Sequence, residues 1–472
     1  MRLAPTLLAL SLSLALAPSA RADTGLDADD IATAEGLRDR AMAGSQAWAV
    51  VESLTTEVGP RMAGTPADAR AVAWAQAKFT AMGFDKVYLE PVTFPVWLRH
   101  HEKAEVLSPF PQPLVITALG GSIGTGAKPL EAEVVEFADL AALVAAPDGS
   151  LAGKIAYVAN RMVRFKDGRG YGPAVGARSN GAVEAARKGA AAVVIRSIGT
   201  SSDRFAHTGT MRYVPEVPRI PAAALSNPDA DLLSHMLARG KPVRLRLDIS
   251  AETVGEYTSH NVIAEIRGRE LPDEVVTLGG HLDSWDLGTG AIDDGAGVAI
   301  TATAGALIGE LARAPRRTVR VIAYANEEQG LYGGKAYAQA RADSNQIATH
   351  QLGAESDFGA GRIYALRAGV DPAAWPVIER IGQVLAPLGI VVETEGGSPG
   401  PDVGPIVALG APWAQLAQDG IDYFDYHHTA NDTLDKIDPK ALDQQVAAYA
   451  ALMYLAAESD VDFGSAPPPA TP

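Results

Sequence analysis

The chain of 472 residues is 47% hydrophobic and carries a formal net charge of −16 at pH 7. This acidic balance argues against nucleic acid and anionic membranes as partners. The absence of cysteine excludes disulfides, thiol nucleophiles and cysteine-ligated zinc, so any metal must be held by nitrogen and oxygen. The length favours two or three domains.

The first predicted element is an export signal over residues 1–22. Arg2 precedes an apolar run from Leu3 to Ala17, and small residues flank Arg21 before Asp23. This order is typical of a cleaved secretory signal peptide. The apolar run is short for a membrane anchor, which needs about 20 residues. We therefore expect an exported protein, periplasmic or secreted, without a stable membrane anchor.

The next two regions are predicted to be the first part of a main domain (23–123) and an inserted domain (124–245). Helical spacing predicts helices over 27–57 and over 67–82, and 86–97 is predicted to be a strand. The insert combines strands and helices in a length that suits a compact αβ domain. Its predicted elements lie at 151–162, 179–199 and 219–237.

Residues 246–463 are predicted to complete the main domain. Buried strands alternate there with helices, which indicates an α/β fold with a mostly parallel mixed sheet covered by helices on both faces. The predicted strands end near 268, 280, 325 and 355, and the predicted helices begin near 295 and 331. The Pro-rich tail, residues 464–472, is predicted to be disordered.

Polar side chains collect where the predicted strands of this region end. His281 and Asp283 follow one strand, Glu327 and Glu328 follow the next, and Asp357 follows a third. Ligands of open α/β sheets bind beyond the carboxyl ends of the strands. Each of these motifs occurs by itself in turns, helix caps or solvated surfaces, but their shared placement predicts one site.

The residue types at these strand ends favour a metal site. Carboxylates brought together repel one another unless cations lie among them. Imidazole and carboxylate without thiolate suit catalytic zinc or a similar divalent ion. Of two adjacent glutamates, one can bind metal while the other takes a proton from metal-bound water. These residues predict metal-assisted hydrolysis, with one or two ions, and leave open which bond is cut.

Four motifs, in this order, resemble the co-catalytic di-zinc exopeptidases of peptidase family 28. They are GGHLDSWDLGTGAIDDGAG (279–297), YANEEQGLYGG (324–334), ESD (355–357) and HHT (427–429). Further stretches are similar to the carboxypeptidase Q branch of that family: VGPRMAGTPA (58–67), FAHTGTMRY (205–213), RIPAAALS (219–226) and SHNVIAEIRG (259–268). The resemblance covers nearly all of the chain after the signal.

The resemblance implies two zinc ions and a role for each matching residue. It implies Glu327 as the general base and Asp283 as the carboxylate that orients the first histidine ligand. Asp293 would bridge both ions, and the family often has a cis peptide after it. The implied zinc ligands are His281, Asp293, Glu328, Asp357 and His428.

Two of these assignments have a neighbouring alternative. Glu355 lies two residues before Asp357, and in a strand both would share a face. His427 adjoins His428, and adjacent residues point in different directions, so only one should bind metal directly. The family pattern favours Asp357 and His428 in the two cases.

The resemblance also implies that the insert is a protease-associated domain over the mouth of the active site. His207 is a candidate for substrate contact from that domain, with local backbone capping as the alternative explanation. Asp402 is a candidate for the lining of the substrate pocket.

The implied activity is hydrolysis of dipeptides or short peptides that are held by one terminus. Family members bind either the amine or the carboxylate end, and a homodimer remains open. A single-zinc glutaminyl cyclase is an alternative, although the presence of both His281 and Asp357 favours two metals. A receptor-like relative without catalysis is a second alternative, which the presence of every proposed ligand and of Glu327 disfavours.

Overall fold

The computed structural model describes residues 24–464. The predicted signal peptide, and all but the first residue of the predicted tail, lie outside the described residues. The helices are α1 Ala28–Met42, α2 Ala47–Ser53, α3 Pro66–Ala81, α4 Leu140–Ala145, α5 Tyr171–Arg187, α6 Asn227–Leu237, α7 Ala296–Gly309, α8 Tyr332–Asp343, α9 Trp375–Leu385, α10 Gly404–Val407, α11 Tyr423–Tyr426 and α12 Pro439–Glu458. Short helical turns lie at Leu54–Val58, Ala291–Gly295, Ile347–Thr349, Pro372–Ala374, Ala386–Leu388 and Leu434–Lys436.

The strands of the described residues form one mixed sheet with a side ribbon. They are β1 Lys86–Ser108, β2 Gln112–Leu114, β3 Ile116–Ala118, β4 Leu130–Phe137, β5 Ile155–Val158, β6 Ala192–Arg196, β7 Ala222–Leu225, β8 Arg244–Ile266, β9 Leu271–His281, β10 Arg317–Tyr324, β11 His350–Glu355, β12 Ile363–Gly369, β13 Val391–Val392 and β14 Trp413–Gln418.

The centre of the sheet is parallel. Strands β14, β11, β9 and β10 are parallel neighbours in that order, with antiparallel β12 beyond β14 and antiparallel β8 beyond β10. The predicted α/β class with a mostly parallel mixed sheet is therefore confirmed. All four central strands end at the same edge, which is where ligands of such sheets bind.

Helices cover both faces of the central strands. Helices α7 and α12 pack on one face, and α8 with α10 cover the other through a cluster that includes Tyr324, Tyr337 and Ile406. Because α7 lies between the sheet and other helices, it is apolar all round. Among the described residues, the span Ala291–Gly309 alone is long and apolar enough to cross a membrane, and it is wholly buried inside the protein. A core helix has the same properties, so this span is weak evidence for a membrane segment.

The predicted insert forms the outer part of the sheet. Strands β4, β5, β6 and β7 are parallel neighbours, and β3, which precedes residue 124, pairs antiparallel with β7. Strand β8 joins this outer part of the sheet to the central strands, because it pairs with β10 near its end and with β4 near its start. Strand β1 pairs with β8 from Lys86 to Ser108, so it continues well beyond the predicted strand at 86–97.

Candidate metal centre

The predicted site residues meet at the carboxyl edge of the four central parallel strands. His281 is the last residue of β9, Glu327 and Glu328 follow β10, and Asp357 follows β11. His428 comes after β14 through the short helix α11. These strands are neighbours in the sheet, so motifs that are far apart in sequence supply one cluster.

One half of the cluster surrounds Nε2 of His281. This atom lies 3.1 Å from Oδ1 of Asp293 and 3.8 Å from Oδ1 of Asp357. The His281 side chain is 1% exposed and that of Asp357 is 10% exposed. Asp293 and Asp357 thus each direct an oxygen towards Nε2 of His281, and ligand atoms of His281, Asp294 and Asp357 lie within 4.8 Å of one another.

The other half of the cluster surrounds Nε2 of His428. This atom lies 2.9 Å from Oε2 of Glu328 and 3.3 Å from Oδ2 of Asp293. Asp293 therefore directs Oδ1 to the first half and Oδ2 to the second. A carboxylate with an oxygen in each half could contribute to two metal ions at once.

Backbone hydrogen bonds hold Asp293 in this position. The carboxylate of Asp432 accepts from the backbone N–H groups of Ile292, at 2.6 Å, and of Asp293, at 3.2 Å. The Asp294 carboxylate accepts from the backbone N–H of His281 at 3.0 Å. The peptide bond between Asp293 and Asp294 is cis.

The chemistry of the cluster fits a divalent cation. Burial raises the pKa of Glu328 well above its ordinary value, and also raises the pKa of Asp357 to about 6. Oδ2 of Asp293 and Oε1 of Glu328 are buried and accept no hydrogen bond from the described residues. Ligand atoms of His281, Asp293 and Glu328 lie within 4.8 Å of one another. Cations among these oxygens would satisfy them and offset their mutual repulsion.

Glu327 differs from its neighbour Glu328. Its carboxyl group belongs to none of the metal-binding groups of the described residues. Burial raises the pKa of Glu327 well above the ordinary glutamate value, with Asp357 adding to this effect and His281 opposing it. The backbone N–H of Glu327 donates to Oδ1 of Asp283 at 3.0 Å, which ties the strand end of β10 to that of β9.

Asp283 contacts His281 chiefly through its backbone. Nδ1 of His281 donates to the backbone carbonyl of Asp283 at 3.0 Å, whereas the Asp283 carboxylate lies 3.6 Å from the same nitrogen. Either acceptor places the proton on Nδ1 and leaves Nε2 free for a metal. Both the backbone carbonyl and the carboxylate of Asp283 thus lie on the Nδ1 side of the His281 ring.

The two neighbouring alternatives occupy different surroundings. The Glu355 carboxylate accepts from the backbone N–H groups of Asp402 and Val403 and belongs to none of the metal-binding groups of the described residues. His427 stacks on His428 with ring centroids 3.5 Å apart, and its Nε2 is 3.8 Å from Oδ2 of Asp293. His427 thus belongs with Asp293 and His428 to one metal-binding group, but it lies farther from Oδ2 of Asp293 than His428 does.

The other two weak candidates are buried. His207 is 1% exposed, and its Nδ1 donates to the backbone carbonyl of His427 at 2.8 Å. Asp402 is 1% exposed, and its carboxylate accepts from the backbone N–H of Gly334 at 3.1 Å. Burial raises the pKa of Asp402 to about 8. Each side chain thus makes a hydrogen bond within the protein, while Nε2 of His207 and Oδ2 of Asp402 have no hydrogen-bond partner among the described residues.

Arg61 is a supporting residue to which the sequence analysis assigned no role. Its guanidinium is fully buried and donates to the backbone carbonyls of Leu282, Thr289 and Gly290 at 2.5–2.8 Å. These carbonyls belong to the loop between His281 and Asp293. The available signal was the stretch VGPRMAGTPA, in which Arg61 is the only charged residue.

A cavity of about 250 Å³ opens beside Asp357. Asp167, from the region predicted to be the insert, lines it together with residues that include Glu355, Phe358 and Arg367. A second cavity, of about 290 Å³, is lined by Ile292, Phe358 and Tyr423 and has none of the proposed metal ligands in its wall. The cavity beside Asp357 is therefore the better candidate for a substrate pocket.

Together, the parallel sheet and the cluster of imidazole and carboxylate groups at its carboxyl edge define a metal-dependent hydrolase. Comparisons with known proteins identify the family. The profile of peptidase family M28 matches residues 261–453. Carboxypeptidase Q of Bos taurus is 36% identical over 407 residues, which are 86% of this chain and 84% of that protein.

Solved structures agree with these sequence matches. A peptidase M28 precursor from Shewanella amazonensis SB2B has a TM-score of 0.91 and 53% identity, over 93% of this chain and 99% of that one. A zinc aminopeptidase from Bacillus subtilis has a similar fold, with a TM-score of 0.63 and 20% identity over 89% of this chain and 98% of that one. The chain belongs to peptidase family M28 and is a metallopeptidase, a hydrolase of peptide bonds.

Proposed function

We propose that the protein is an exported exopeptidase that uses two zinc ions to hydrolyse dipeptides or short peptides. The observation that carries this proposal is the Asp293 carboxylate, which directs one oxygen to His281 and the other to His428. We call the half around His281 the first half-site and the half around His428 the second half-site. A site for one ion has no need of a carboxylate that directs an oxygen to each of them. Export rests on the signal-peptide pattern of residues 1–22.

The two half-sites would hold one ion each. His281 and Asp357 would complete the first site, Glu328 and His428 the second, and Asp293 would bridge them. When bound, the ions supply polarisation of the scissile carbonyl and activation of a water. Imidazole and carboxylate ligands without thiolate suit zinc in a catalytic site.

Glu327 would be the general base. It lies next to the ligand Glu328 but outside the metal-binding groups, so its carboxylate is free to take a proton from the attacking water. Burial raises the pKa of Glu327, which suits a group that accepts a proton and then returns it to the leaving amine. Asp283 holds the backbone of Glu327 in place through the 3.0 Å hydrogen bond to its N–H.

The cavity beside Asp357 would hold the residue at one end of the substrate. Its volume of about 250 Å³ suits a single side chain rather than a long peptide. The names of the relatives include both a carboxypeptidase and an aminopeptidase, so either terminus is a candidate for recognition. The similarity to carboxypeptidase Q favours dipeptides.

The proposal is tested by zinc content and by hydrolysis of a dipeptide panel that includes N-blocked and C-amidated versions. We expect about two zinc ions per chain, loss of turnover on chelation, and recovery when zinc is restored. Whichever block abolishes hydrolysis identifies the terminus that is bound. One zinc with cyclised glutaminyl product would instead establish a cyclase, and two zincs without turnover would establish a binding protein.

A further inference from the structure

The insert contacts the second half-site directly through residues 207–210, here called the HTGT segment. This segment follows β6 in the insert, and the residues it contacts belong to the main domain. It makes hydrogen bonds with the backbone or side chains of His427, His428 and Glu328. Two of these three residues are proposed ligands of the same ion.

Thr208 and His428 are joined by two hydrogen bonds. The backbone N–H of Thr208 donates to the backbone carbonyl of His428 at 3.0 Å. In return, Nδ1 of His428 lies 3.2 Å from the backbone carbonyl of Thr208. A carbonyl only accepts, so this contact places the proton on Nδ1 and leaves the Nε2 lone pair for a metal.

Thr210 supports the other ligand of this half-site. Its hydroxyl donates to the backbone carbonyl of Glu328 at 2.6 Å. His207 adds a third link, because its Nδ1 donates at 2.8 Å to the carbonyl of His427, the residue before the histidine ligand. Arg178 of the insert adds a further contact, because its Nη1 donates to the same Thr208 carbonyl at 3.5 Å.

The first half-site has no comparable support from the insert. Within residues 24–464, the hydrogen bonds of the His281 ring go to Asp283 and Asp293, both in the main domain. The His281 backbone N–H bonds to Asp294, also in the main domain. The HTGT segment therefore distinguishes between two half-sites that share the Asp293 carboxylate.

We propose that the HTGT segment is a positioning element that sets the affinity of the second half-site alone. The insert would thus be part of the metal centre, and Thr210 a positioning residue for Glu328. This inference rests on the proposed function, because it requires that the two half-sites bind one ion each.

The test is calorimetric titration of the metal-free protein with zinc, for wild type and Thr210→Val. The valine has nearly the volume of threonine but cannot donate to the Glu328 carbonyl. We expect one of the two binding events to weaken by about tenfold, the lower end of the range for groups that support metal ligands, and the other to stay unchanged. Thr210→Ser, which keeps the hydroxyl, should restore the wild-type titration.

Thr125→Val is the matched control. Its hydroxyl also donates to a backbone carbonyl, that of Ile249, but its side-chain hydrogen bonds reach no proposed metal ligand, so both binding events should match wild type. Equal weakening of both events in Thr210→Val, or no change in either, would overturn the inference. If the valine variant does not fold, as judged by circular dichroism, Thr210→Ala is titrated instead with the same expectation. A wild-type protein that binds a single zinc would overturn the two-ion proposal itself, and the wild-type titration alone would reveal this.

Discussion

Glu327→Gln is expected to lower kcat by about 10²–10⁴-fold, the usual contribution of a general base. Glutamine has the size of glutamate and leaves the backbone hydrogen bond to Asp283 intact, but it cannot take a proton from water. Because Glu327 lies outside the metal-binding groups, zinc content should remain that of wild type. The measurement is steady-state hydrolysis of the best dipeptide substrate, together with zinc analysis of the same samples.

Two further variants make this prediction specific. Glu328→Gln should reduce both zinc content and turnover, because it changes a proposed ligand. Glu395→Gln, at an exposed position, should leave both unchanged. A Glu327→Gln enzyme that retains a tenth or more of the wild-type kcat would show that Glu327 is not the general base. A variant that loses zinc would show that Glu327 helps to bind the metal.

Arg61→Met is expected to lower the free energy of unfolding by about 3–5 kcal/mol, the range for removing one partner of a buried charge cluster. Arg61 is fully buried, and the carboxylates of Asp432, Asp283, Asp294 and Asp293 lie near enough to oppose the effect of burial on its pKa. Methionine removes both this positive charge and the donors that satisfy three backbone carbonyls of the 282–290 loop. Urea unfolding of the metal-free protein measures the change.

Arg61→Lys separates the two contributions. Lysine keeps the charge but cannot reach three carbonyls with the planar geometry of a guanidinium, so we expect an intermediate loss of stability. Arg313→Met, at an exposed arginine with long ion pairs of 3.9–4.0 Å, should change stability by less than about 0.5 kcal/mol. A loss in Arg61→Met no larger than in Arg313→Met would contradict a role for Arg61 in holding this loop.

Much of the fold and of the candidate site followed from local patterns. Buried runs predicted β9, β10 and β11, and a polar residue directly after such a strand must lie at the carboxyl edge of the sheet. His281, Glu328 and Asp357 could therefore be grouped before their distances were known. The motifs also placed Asp293 and His428 in the same site, and the structure brings both within 3.3 Å of another predicted ligand.

Local sequence patterns could not predict the contacts that support the metal ligands, because these contacts join distant segments of the chain. The carbonyls that Arg61 contacts come 221–229 residues later in the chain. Thr210 and Glu328 are 118 residues apart, and Thr208 and His428 are 220 apart. No spacing within VGPRMAGTPA or FAHTGTMRY indicates which distant residues these stretches contact. Only the folded chain shows that they hydrogen-bond to the loop after His281 and to Glu328 and His428.

The sequence by itself determined the chemistry of the site. A chain without cysteine can offer a metal only imidazole and oxygen, and its strand ends supply both. Tertiary structure decided how such neighbours meet the cluster: Asp357 belongs to a metal-binding group and Glu355 does not, whereas His427 and His428 both do, with His428 nearer to Oδ2 of Asp293. The physical reason is that side-chain direction beyond a strand end depends on backbone torsions that distant segments impose. His428 illustrates this, because it has a left-handed φ of 62° and is held by hydrogen bonds to Thr208.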